Sequence, residues 1–260
     1  MSDIGSTHLP PRMAQLAIFT GFHGTLVETP DLSGEVEIPS NLHEEIERAA
    51  REFESAFAVL TGRTIEDIDR ILAPLHLPVA GAHGVQRRRA DGTLDDSDAA
   101  AIQGAEEIAH AVAPLVMAHP ELSLEPREGT VALHYRQAPE LEATCRLAME
   151  EAVNGLVDFA LVRGDMVIEA RPRGAGKGAA LRAFMQEEPF AGRMPIVFGD
   201  DDTDEEAFIA AQEMGGVGIK LGEGETAARM RIADVGAVHA LIRGLTDLAA
   251  RNRMDSDVLH

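Results

Sequence analysis

The feature that most constrains the fold of this chain is an ordered alternation of short apolar runs with segments of helical spacing. Residues 15–20 and 57–61 are apolar runs that each end at a glycine, and a helical segment follows each of them. Nearly continuous apolar runs of this length are typical of strands buried on both faces, as in a parallel sheet. The sequence therefore predicts a parallel α/β sheet whose strands are connected by helices.

Two helices of this first half carry signals at their N-termini. Asn41 followed by Glu44 has the capping-box pattern, which predicts a helix that begins at residue 42. Thr64 is the predicted cap of a second helix, because apolar residues recur after it at helical spacing.

The middle of the chain, after the charged residues 87–98, has a different pattern. Its predicted elements are a helix over 99–118, a strand over 130–136, a helix over about 139–153 and strands over 156–163 and 166–170. Gly164-Asp165 separates the last two strands and is a hairpin signal. Because two-residue turns connect antiparallel strands, we expect a second α/β unit with its own sheet.

The parallel pattern resumes after residue 171. The predicted elements are a helix from Lys177, a strand over 195–198, a helix from Thr203, a strand over 217–221 and a helix near 237–249. The sequence thus predicts a doubly wound core interrupted by an insertion. The predicted ranges are a loose leader over 1–13, the core over 14–86 and 171–250, the inserted domain over 87–170, and a tail over 251–260.

The charge balance and the cysteine count exclude several classes of function. With 23 basic and 44 acidic residues, the formal net charge is −21, which disfavours binding to nucleic acid and to anionic membranes. No apolar run approaches the length of a membrane-spanning helix. The single cysteine, Cys145, cannot form an internal disulfide, so we expect a cytoplasmic protein with neither a nucleic-acid nor a membrane partner.

Polar groups collect in the loops that follow the predicted parallel strands, where ligands of such sheets bind. Asp200, Asp201 and Asp204 crowd into one turn, and their mutual repulsion favours a bound cation such as magnesium. Lys177 begins a helix behind a glycine-rich turn, and Thr61 offers a hydroxyl at a neighbouring strand end. These groups together predict a site that handles a phosphate.

Several stretches in order make the chain similar to a known family over residues 14–250. They are residues 80–86, 132–136, 169–172, 199–205 and 216–220. Through them the chain resembles the trehalose-6-phosphate phosphatases of the haloacid-dehalogenase-like superfamily. The resemblance implies a Rossmann-like core with an inserted cap domain, magnesium as cofactor, and hydrolysis of a sugar phosphate such as trehalose 6-phosphate in trehalose biosynthesis.

The resemblance also implies roles for individual residues. Thr61 and Lys177 match the groups that hold the phosphoryl oxygens, Asp200 matches a direct magnesium ligand, and Asp204 matches a supporting carboxylate. The backbone carbonyl of His23 matches a further magnesium ligand. Positions implied to bind the substrate are Gly62, Arg63, Gln86, Glu125, Arg127 and Glu169.

The first motif of the family is not present. The family pattern is Asp-x-Asp-Gly-Thr-Leu, in which the first aspartate attacks phosphorus and the second is the acid and base. This chain has Gly21-Phe22-His23-Gly24-Thr25-Leu26 in its place. Loss of a catalytic nucleophile costs roughly 10⁶-fold in rate, or about 8 kcal/mol of barrier. We therefore expect turnover to be lost or strongly reduced, and magnesium to bind more weakly.

Three interpretations follow from this departure. The protein binds a sugar phosphate, or regulates a partner, with little turnover. Alternatively, it is a slow or altered magnesium-dependent phosphomonoesterase in which His23 is the acid or base. In the third interpretation it is a non-catalytic interaction module whose site is a relic.

Overall fold

The computed structural model describes residues 15–29, 38–95, 98–164 and 166–257. The strands are β1 Leu16–Thr20, β2 Phe57–Leu60, β3 Val79–Gly81, β4 Gln86–Arg88, β5 Ser123–Arg127, β6 Thr130–His134, β7 Phe159–Gly164, β8 Val167–Pro172, β9 Met194–Gly199, β10 Val217–Leu221 and β11 Met230–Ile232. The helices are α1 Leu42–Glu52, α2 Ile65–Leu72, α3 Ala99–Ala118, α4 Glu142–Ala152, α5 Lys177–Phe184, α6 Glu205–Glu213 and α7 Val235–Asp257. The predicted leader, residues 1–13, lies outside the described residues.

The larger sheet has the strand order β11-β10-β9-β1-β2-β3-β4 and is parallel except at β4. The chain leaves the central strand β1 in one direction and later returns on its other side through β9. The carboxyl ends of β1, β2 and β9 therefore meet at one edge, which is where such sheets bind ligands. The prediction of a doubly wound α/β core with an inserted cap is confirmed.

The short edge strand β4 is antiparallel, contrary to the expectation of a parallel core. The reversal follows from the turn between β3 and β4, where Ala82 and His83 have φ values of 46° and 52°. These left-handed conformations turn the chain back within three residues. Neither β3 nor β4 was predicted, because each spans only three residues.

Apolar side chains cover both faces of the larger sheet. On one face, Leu42 and Ile46 of α1 pack in one buried cluster with Val238 and Ile242 of α7. On the other face, Leu181 and Phe184 of α5 share a second cluster with residues of α6. The two layers keep β1 fully buried, which holds the loop after it in place.

The second sheet has four antiparallel strands in the order β5-β6-β8-β7, as expected for the inserted unit. One of its faces, which includes Val131, Leu133 and Ile168, packs in a cluster with α3 and α4. Cys145 of α4 is buried in this cluster. The predicted hairpin between β7 and β8 is present, although Asp165 in its turn lies outside the described residues. Strand β5 was not predicted, because Ser-Leu-Glu-Pro-Arg has no apolar alternation.

The two predicted helix caps differ in outcome. The Thr64 side chain accepts a hydrogen bond from the Asp67 backbone N–H at 3.1 Å, as predicted. The predicted capping box at Asn41 is wrong: Asn41 is already in helical conformation, and its side chain donates instead to Glu45 at 2.5 Å. The last helix is also longer than predicted, since α7 continues to Asp257 through residues expected to be tail.

Across the described ranges, no helix combines the length and the apolar character needed to cross a bilayer.

The difference between the two caps predicts different costs of substitution. We expect Thr64→Ala to lower the free energy of unfolding by about 1 kcal/mol, because an N–H at the start of α2 loses its acceptor. Asn41→Ala is the matched control and is expected to change it by less than about 0.5 kcal/mol. Urea denaturation of the three proteins measures both values, and equal losses in the two variants would contradict this assignment of caps.

Candidate active site

A cavity of about 430 Å³ lies between the carboxyl edge of the larger sheet and one face of the inserted sheet. It is lined by Phe22, His23, Thr61, Gly62, Arg63, Asp67, His83, Glu125, Arg127, Ala132, His134, Val167, Glu169, Lys177 and Asp201. Most of these side chains are polar or charged, so the cavity suits a hydrophilic ligand.

The inserted sheet lines the cavity with side chains from alternate positions of strands β5, β6 and β8. Pairing places Glu125 opposite Ala132 and Ala132 opposite Glu169, with His134 two residues further along β6. Because side chains alternate between the faces of a strand, these residues share the face opposite to the apolar cluster. His134 was not predicted as a site residue, although its spacing from Ala132 gives the signal.

The larger sheet contributes residues at the ends of its central strands. Thr61, Gly62 and Arg63 follow β2, and the Thr61 hydroxyl accepts a hydrogen bond from the Arg63 backbone N–H at 3.1 Å. Arg127 of the inserted sheet donates to the Gly62 carbonyl, so the two sheets touch at the cavity wall. Five predicted site residues therefore meet at the cavity: Thr61, Gly62, Arg63, Glu125 and Arg127.

Lys177, the first residue of α5, is buried and is paired with Asp204. Its Nζ lies 2.7 Å from Asp204 Oδ1, while Asp204 Oδ2 accepts from the backbone N–H groups of Asp200 and Asp201 at 3.0 and 3.2 Å. Burial raises the pKa of Asp204 to about 6, and the charge of Lys177 offsets part of that effect. Asp204 is thus an ionised structural partner of Lys177 at neutral pH, and both its oxygens are occupied.

The Asp200 carboxylate lies beside the loop after β1. Its Oδ1 accepts a hydrogen bond from the Thr25 hydroxyl at 2.8 Å. Burial raises its pKa, and the bond from Thr25 opposes that shift. Asp200 is not among the residues that line the cavity, whereas its neighbour Asp201 is. The sequence located the acidic turn correctly but did not single out Asp201 for the cavity wall.

His23 lies against Arg63. The Arg63 Nε is 3.2 Å from Nε2 of the imidazole. Burial, together with the positive charge of Arg63, lowers the pKa of His23 to about 4. The ring is therefore neutral at pH 7 and carries no proton that it could readily give to a leaving group.

Glu169 and His83 face each other across the two sheets, with His83 Nε2 3.4 Å from Glu169 Oε2. Burial raises the pKa of Glu169 to about 7, against the lowering effect of nearby arginines. Burial likewise lowers the pKa of His83 to about 3. Glu125 differs, because a hydrogen bond with His134 lowers its pKa to about 2 despite partial burial. Compared with an ordinary glutamate, Glu169 thus favours its protonated form and Glu125 its ionised form.

Gln86 does not line this cavity, although it was expected to bind the substrate. Its Oε1 accepts from the Ile65 backbone N–H at 3.0 Å, and its Nε2 donates to Glu128 at 3.4 Å. The side chain is therefore engaged at the start of α2. This position depends on contacts with other segments of the chain, which the sequence spacing does not reveal.

The donors near Asp200 do not fit a magnesium site of the expected kind. In the part of the chain that the structure describes, no three histidine, cysteine or acidic side chains are grouped as metal ligands. Gly21 offers no side-chain donor, and Asp200 already accepts the Thr25 hydroxyl. Magnesium prefers an octahedron of oxygen ligands anchored by carboxylates. Here one carboxylate remains for that role.

A model of the trehalose-phosphatase family matches residues 19–235. Trehalose-6-phosphate phosphatase of Escherichia coli is 34% identical over 252 residues, which span 95% of this chain and 92% of that protein. The chain belongs to the trehalose-phosphatase family. The resemblance inferred from the sequence motifs is confirmed.

Solved structures agree with this assignment to the trehalose-phosphatase family. A trehalose-6-phosphate phosphatase related protein superposes with a TM-score of 0.74 at 27% identity, covering 91% of this chain and 99% of that one. A phosphatase of the haloalkanoate (HAD) superfamily from Bacteroides thetaiotaomicron gives a TM-score of 0.59 at 16% identity, covering 94% and 99%. The second likeness shows the shared fold alone.

The raised pKa of Glu169 predicts a pH-dependent cost of keeping it buried. The folded protein binds this proton more tightly than the unfolded chain, so the stabilisation is complete below about pH 4.5 and is lost as the pH rises through about 7. Between about pH 5.5 and about pH 8.5, wild type should lose about 2 kcal/mol of unfolding free energy relative to Glu169→Gln.

Urea denaturation at the two pH values measures this difference. Asp91→Asn is the control, because hydrogen bonds from Thr93 lower the pKa of Asp91 and keep it ionised at both pH values. A wild type and Glu169→Gln pair with parallel pH dependence would show that Glu169 ionises normally in the folded protein.

Proposed function

We propose that this member of the trehalose-phosphatase family binds a sugar phosphate such as trehalose 6-phosphate in the cavity, with turnover lost or strongly reduced. The observation that carries the proposal is the loop after β1, residues 21–26, which contains no carboxylate. Gly21 occupies the position that the family pattern gives to the nucleophile. Its side chain is a hydrogen atom, which can neither attack phosphorus nor form an acyl phosphate.

The rest of the phosphate site supports binding. Lys177 stands at the N-terminus of α5 and on the cavity wall, so its ammonium and the helix end both favour an anion there. The Thr61 hydroxyl and the Arg63 guanidinium stand on the same wall. These three groups hold phosphoryl oxygens without needing the missing aspartates.

The inserted sheet supports a sugar as the remainder of the ligand. Among the described residues, the buried Glu169 Oε1 and His83 Nδ1 have no hydrogen-bond partner. A buried polar atom without a partner costs about 1–3 kcal/mol, so hydroxyl groups of a ligand would be favoured there. Both residues line the cavity, as do Glu125 and Arg127.

A second candidate function is a slow phosphomonoesterase that uses His23. With its pKa lowered to about 4, His23 is neutral at pH 7 and can accept a proton from water, but it is a weak base. Phosphate release by the purified protein that disappears in His23→Ala would support this function. Release that persists in His23→Ala would exclude the histidine mechanism.

We also propose a weakened dependence on magnesium, a small-molecule ligand and a cytoplasmic location. We propose that magnesium dependence is weakened, since only Asp200 and the His23 carbonyl remain as protein ligands from the expected set. The net charge of −21 supports a small-molecule ligand rather than nucleic acid or membrane. The buried, unpaired Cys145 supports a cytoplasmic location.

Binding is tested by isothermal titration calorimetry with trehalose 6-phosphate, with trehalose and inorganic phosphate as separate ligands. We expect the phosphorylated disaccharide to bind at least about tenfold more tightly than either part, because both sheets contribute contacts. Arg127→Met should weaken trehalose 6-phosphate and leave inorganic phosphate unchanged, since Arg127 belongs to the inserted sheet. Absence of binding by all three ligands would contradict the proposed function.

Restoring the family pattern at the first loop tests the reason for lost turnover. We expect Gly21→Asp combined with His23→Asp to gain magnesium-dependent hydrolysis of trehalose 6-phosphate by at least about a thousandfold. The matched control is Gly21→Asn with His23→Asp, which has the same size but lacks the nucleophile. Equal rates for the two double variants, measured as phosphate release, would show that the site lacks more than these carboxylates.

A further inference from the structure

Glu169 and His83 form a buried acid–base pair in the wall of the cavity. Glu169 lies on β8 of the inserted sheet and His83 in the turn after β3, and their side chains are 8% and 18% exposed. His83 Nε2 is 3.4 Å from Glu169 Oε2. A shift of a few tenths of an ångström brings these two atoms to hydrogen-bond distance. Both residues line the cavity, so a proton gained or lost here is gained or lost beside the ligand.

The backbone around His83 holds the imidazole in this position. Ala82 and His83 have φ values of 46° and 52°, left-handed conformations that cost free energy in residues other than glycine. Gly62 leaves room for the ring, since a Cβ atom there would lie 2.4 Å from His83 Nε2. Such backbone strain persists only where the surrounding structure fixes it, as at binding sites. The place of His83 opposite Glu169 is therefore a constrained feature of the fold.

Two arrangements of hydrogen atoms fit this pair, and they differ by one proton. In the first, Glu169 is ionised and His83 Nε2–H donates to Oε2, which leaves Nδ1 as an acceptor. In the second, a protonated Glu169 donates from Oε2 to Nε2, and the imidazole carries its hydrogen on Nδ1. The ring is neutral in both, in agreement with burial, which lowers the pKa of His83 to about 3. Because burial raises the pKa of Glu169 to about 7, both arrangements are populated near neutral pH.

The outer atoms of the pair point to a ligand with hydroxyl groups. Among the described residues, Glu169 Oε1 and His83 Nδ1 are buried without a hydrogen-bond partner. The added proton makes Nδ1 a donor, while Oε1 stays an acceptor. Hydroxyl groups both donate and accept, so they satisfy these two atoms in the protonated pair.

The charges around the pair decide in which direction a bound anion shifts its protonation. The nearby cations are Arg127, Arg171 and Lys177, and the nearby carboxylates are Glu125 and Asp201. The remaining charged or titratable groups of the cavity wall are His23, Arg63, Asp67 and His134.

Lys177 connects the pair to the phosphate. Burial raises the pKa of Glu169 and lowers that of His83, and the charge of Lys177 lowers both. A phosphoryl dianion held at Lys177 cancels this effect of its charge, so the pair binds a proton more tightly. The sugar also displaces water from the cavity, and the added burial of the Glu169 carboxyl favours its neutral form.

We infer that Glu169 and His83 share one proton-binding site, and that a phosphorylated ligand takes up a proton there when it enters the cavity. The inference rests on the proposed sugar-phosphate binding and adds how that binding depends on pH. His83 acts through Glu169 and is a positioning residue, because its ring accepts the hydrogen bond of the added proton. By linkage, uptake of a proton on binding makes the affinity fall as the pH rises.

The first test counts the protons that accompany binding of trehalose 6-phosphate. Calorimetry at about pH 7.5 in two buffers of different ionisation enthalpy gives this number from the difference between the heats. We expect the wild-type protein to take up about half a proton per ligand, because holding a proton tenfold more tightly near neutral pH changes the bound fraction by that amount. The ligand phosphate contributes little, since its second pKa is about 6.

Two variants of cavity glutamates assign the proton. Glu169→Gln should lose the uptake, whereas the matched Glu125→Gln should keep it, because the pKa of Glu125 is about 2 and this residue stays ionised. Asp204, whose pKa burial raises to about 6, is present in all three proteins, so their differences do not come from it. Between about pH 7 and about pH 8.5, the wild-type Kd should weaken by about fourfold relative to that of Glu169→Gln.

The outcomes separate this inference from the proposed function. Binding with no proton uptake, or uptake that persists in Glu169→Gln, would overturn the inference and leave sugar-phosphate binding intact. Absence of binding by the wild-type protein would overturn both.

The second test observes the pair without any ligand, so it decides the matter even where Glu169→Gln fails to bind. Nitrogen-15 NMR of labelled histidines distinguishes a ring nitrogen that carries a hydrogen from one that does not, and His83→Gln identifies the signals of His83. As the pH falls from about 8 to about 6, the hydrogen should move from Nε2 to Nδ1 while the ring stays neutral. The movement should be absent in Glu169→Gln and present in Glu125→Gln, with circular dichroism confirming that each variant is folded. Wild-type His83 signals that do not move, or that show hydrogens on both nitrogens, would overturn the shared proton.

Discussion

The buried ion pair between Lys177 and Asp204 holds together the loops on which the candidate site depends. The two charges are 2.7 Å apart, and each is almost completely shielded from water. Removal of one partner from such a pair costs about 3–5 kcal/mol, because the other charge is left buried and uncompensated. Asp204 also binds the backbone of Asp200 and Asp201, so this pair ties the start of α5 to the turn after β9. These contacts fix the position of Lys177 on the cavity wall.

The inserted sheet turns that wall into an enclosed site. It meets the larger sheet through Arg127 at the Gly62 carbonyl, through Glu169 beside His83, and through Arg171, which donates to Glu206 at 2.5 Å. Each contact joins a polar residue of the insertion to a loop or helix end of the core. The cavity is therefore polar on both sides, which distinguishes it from the apolar clusters that hold each sheet to its helices.

The departure from the family's first motif is confined to the loop after β1, residues 21–26. Compared with the family pattern, positions 21 and 23 at the end of the central strand β1 lack carboxylates, while Thr61 and Lys177, the residues proposed to hold a phosphate, are present at other loops of the same sheet edge. Asp200 accepts the Thr25 hydroxyl, so its carboxylate keeps a hydrogen-bond partner within this loop. The proposed function rests on this combination of positively charged groups at the cavity wall and a position 21 without a side chain.

The sequence by itself determined the fold class and the presence of an inserted unit, because apolar runs, helical spacing and loop motifs are local signals. Thr61 and Lys177 became candidates through their places after predicted strands, Glu169 only through the family resemblance, and the missing carboxylate at Gly21 is visible in the sequence alone. The tertiary structure decided what depends on packing between distant segments. It directed Gln86 to the start of α2, brought His83 opposite Glu169, and set Thr25 against both Gly21 and Asp200. These contacts join residues far apart in the chain or set by a single turn, so only the assembled sheets fix which atoms meet.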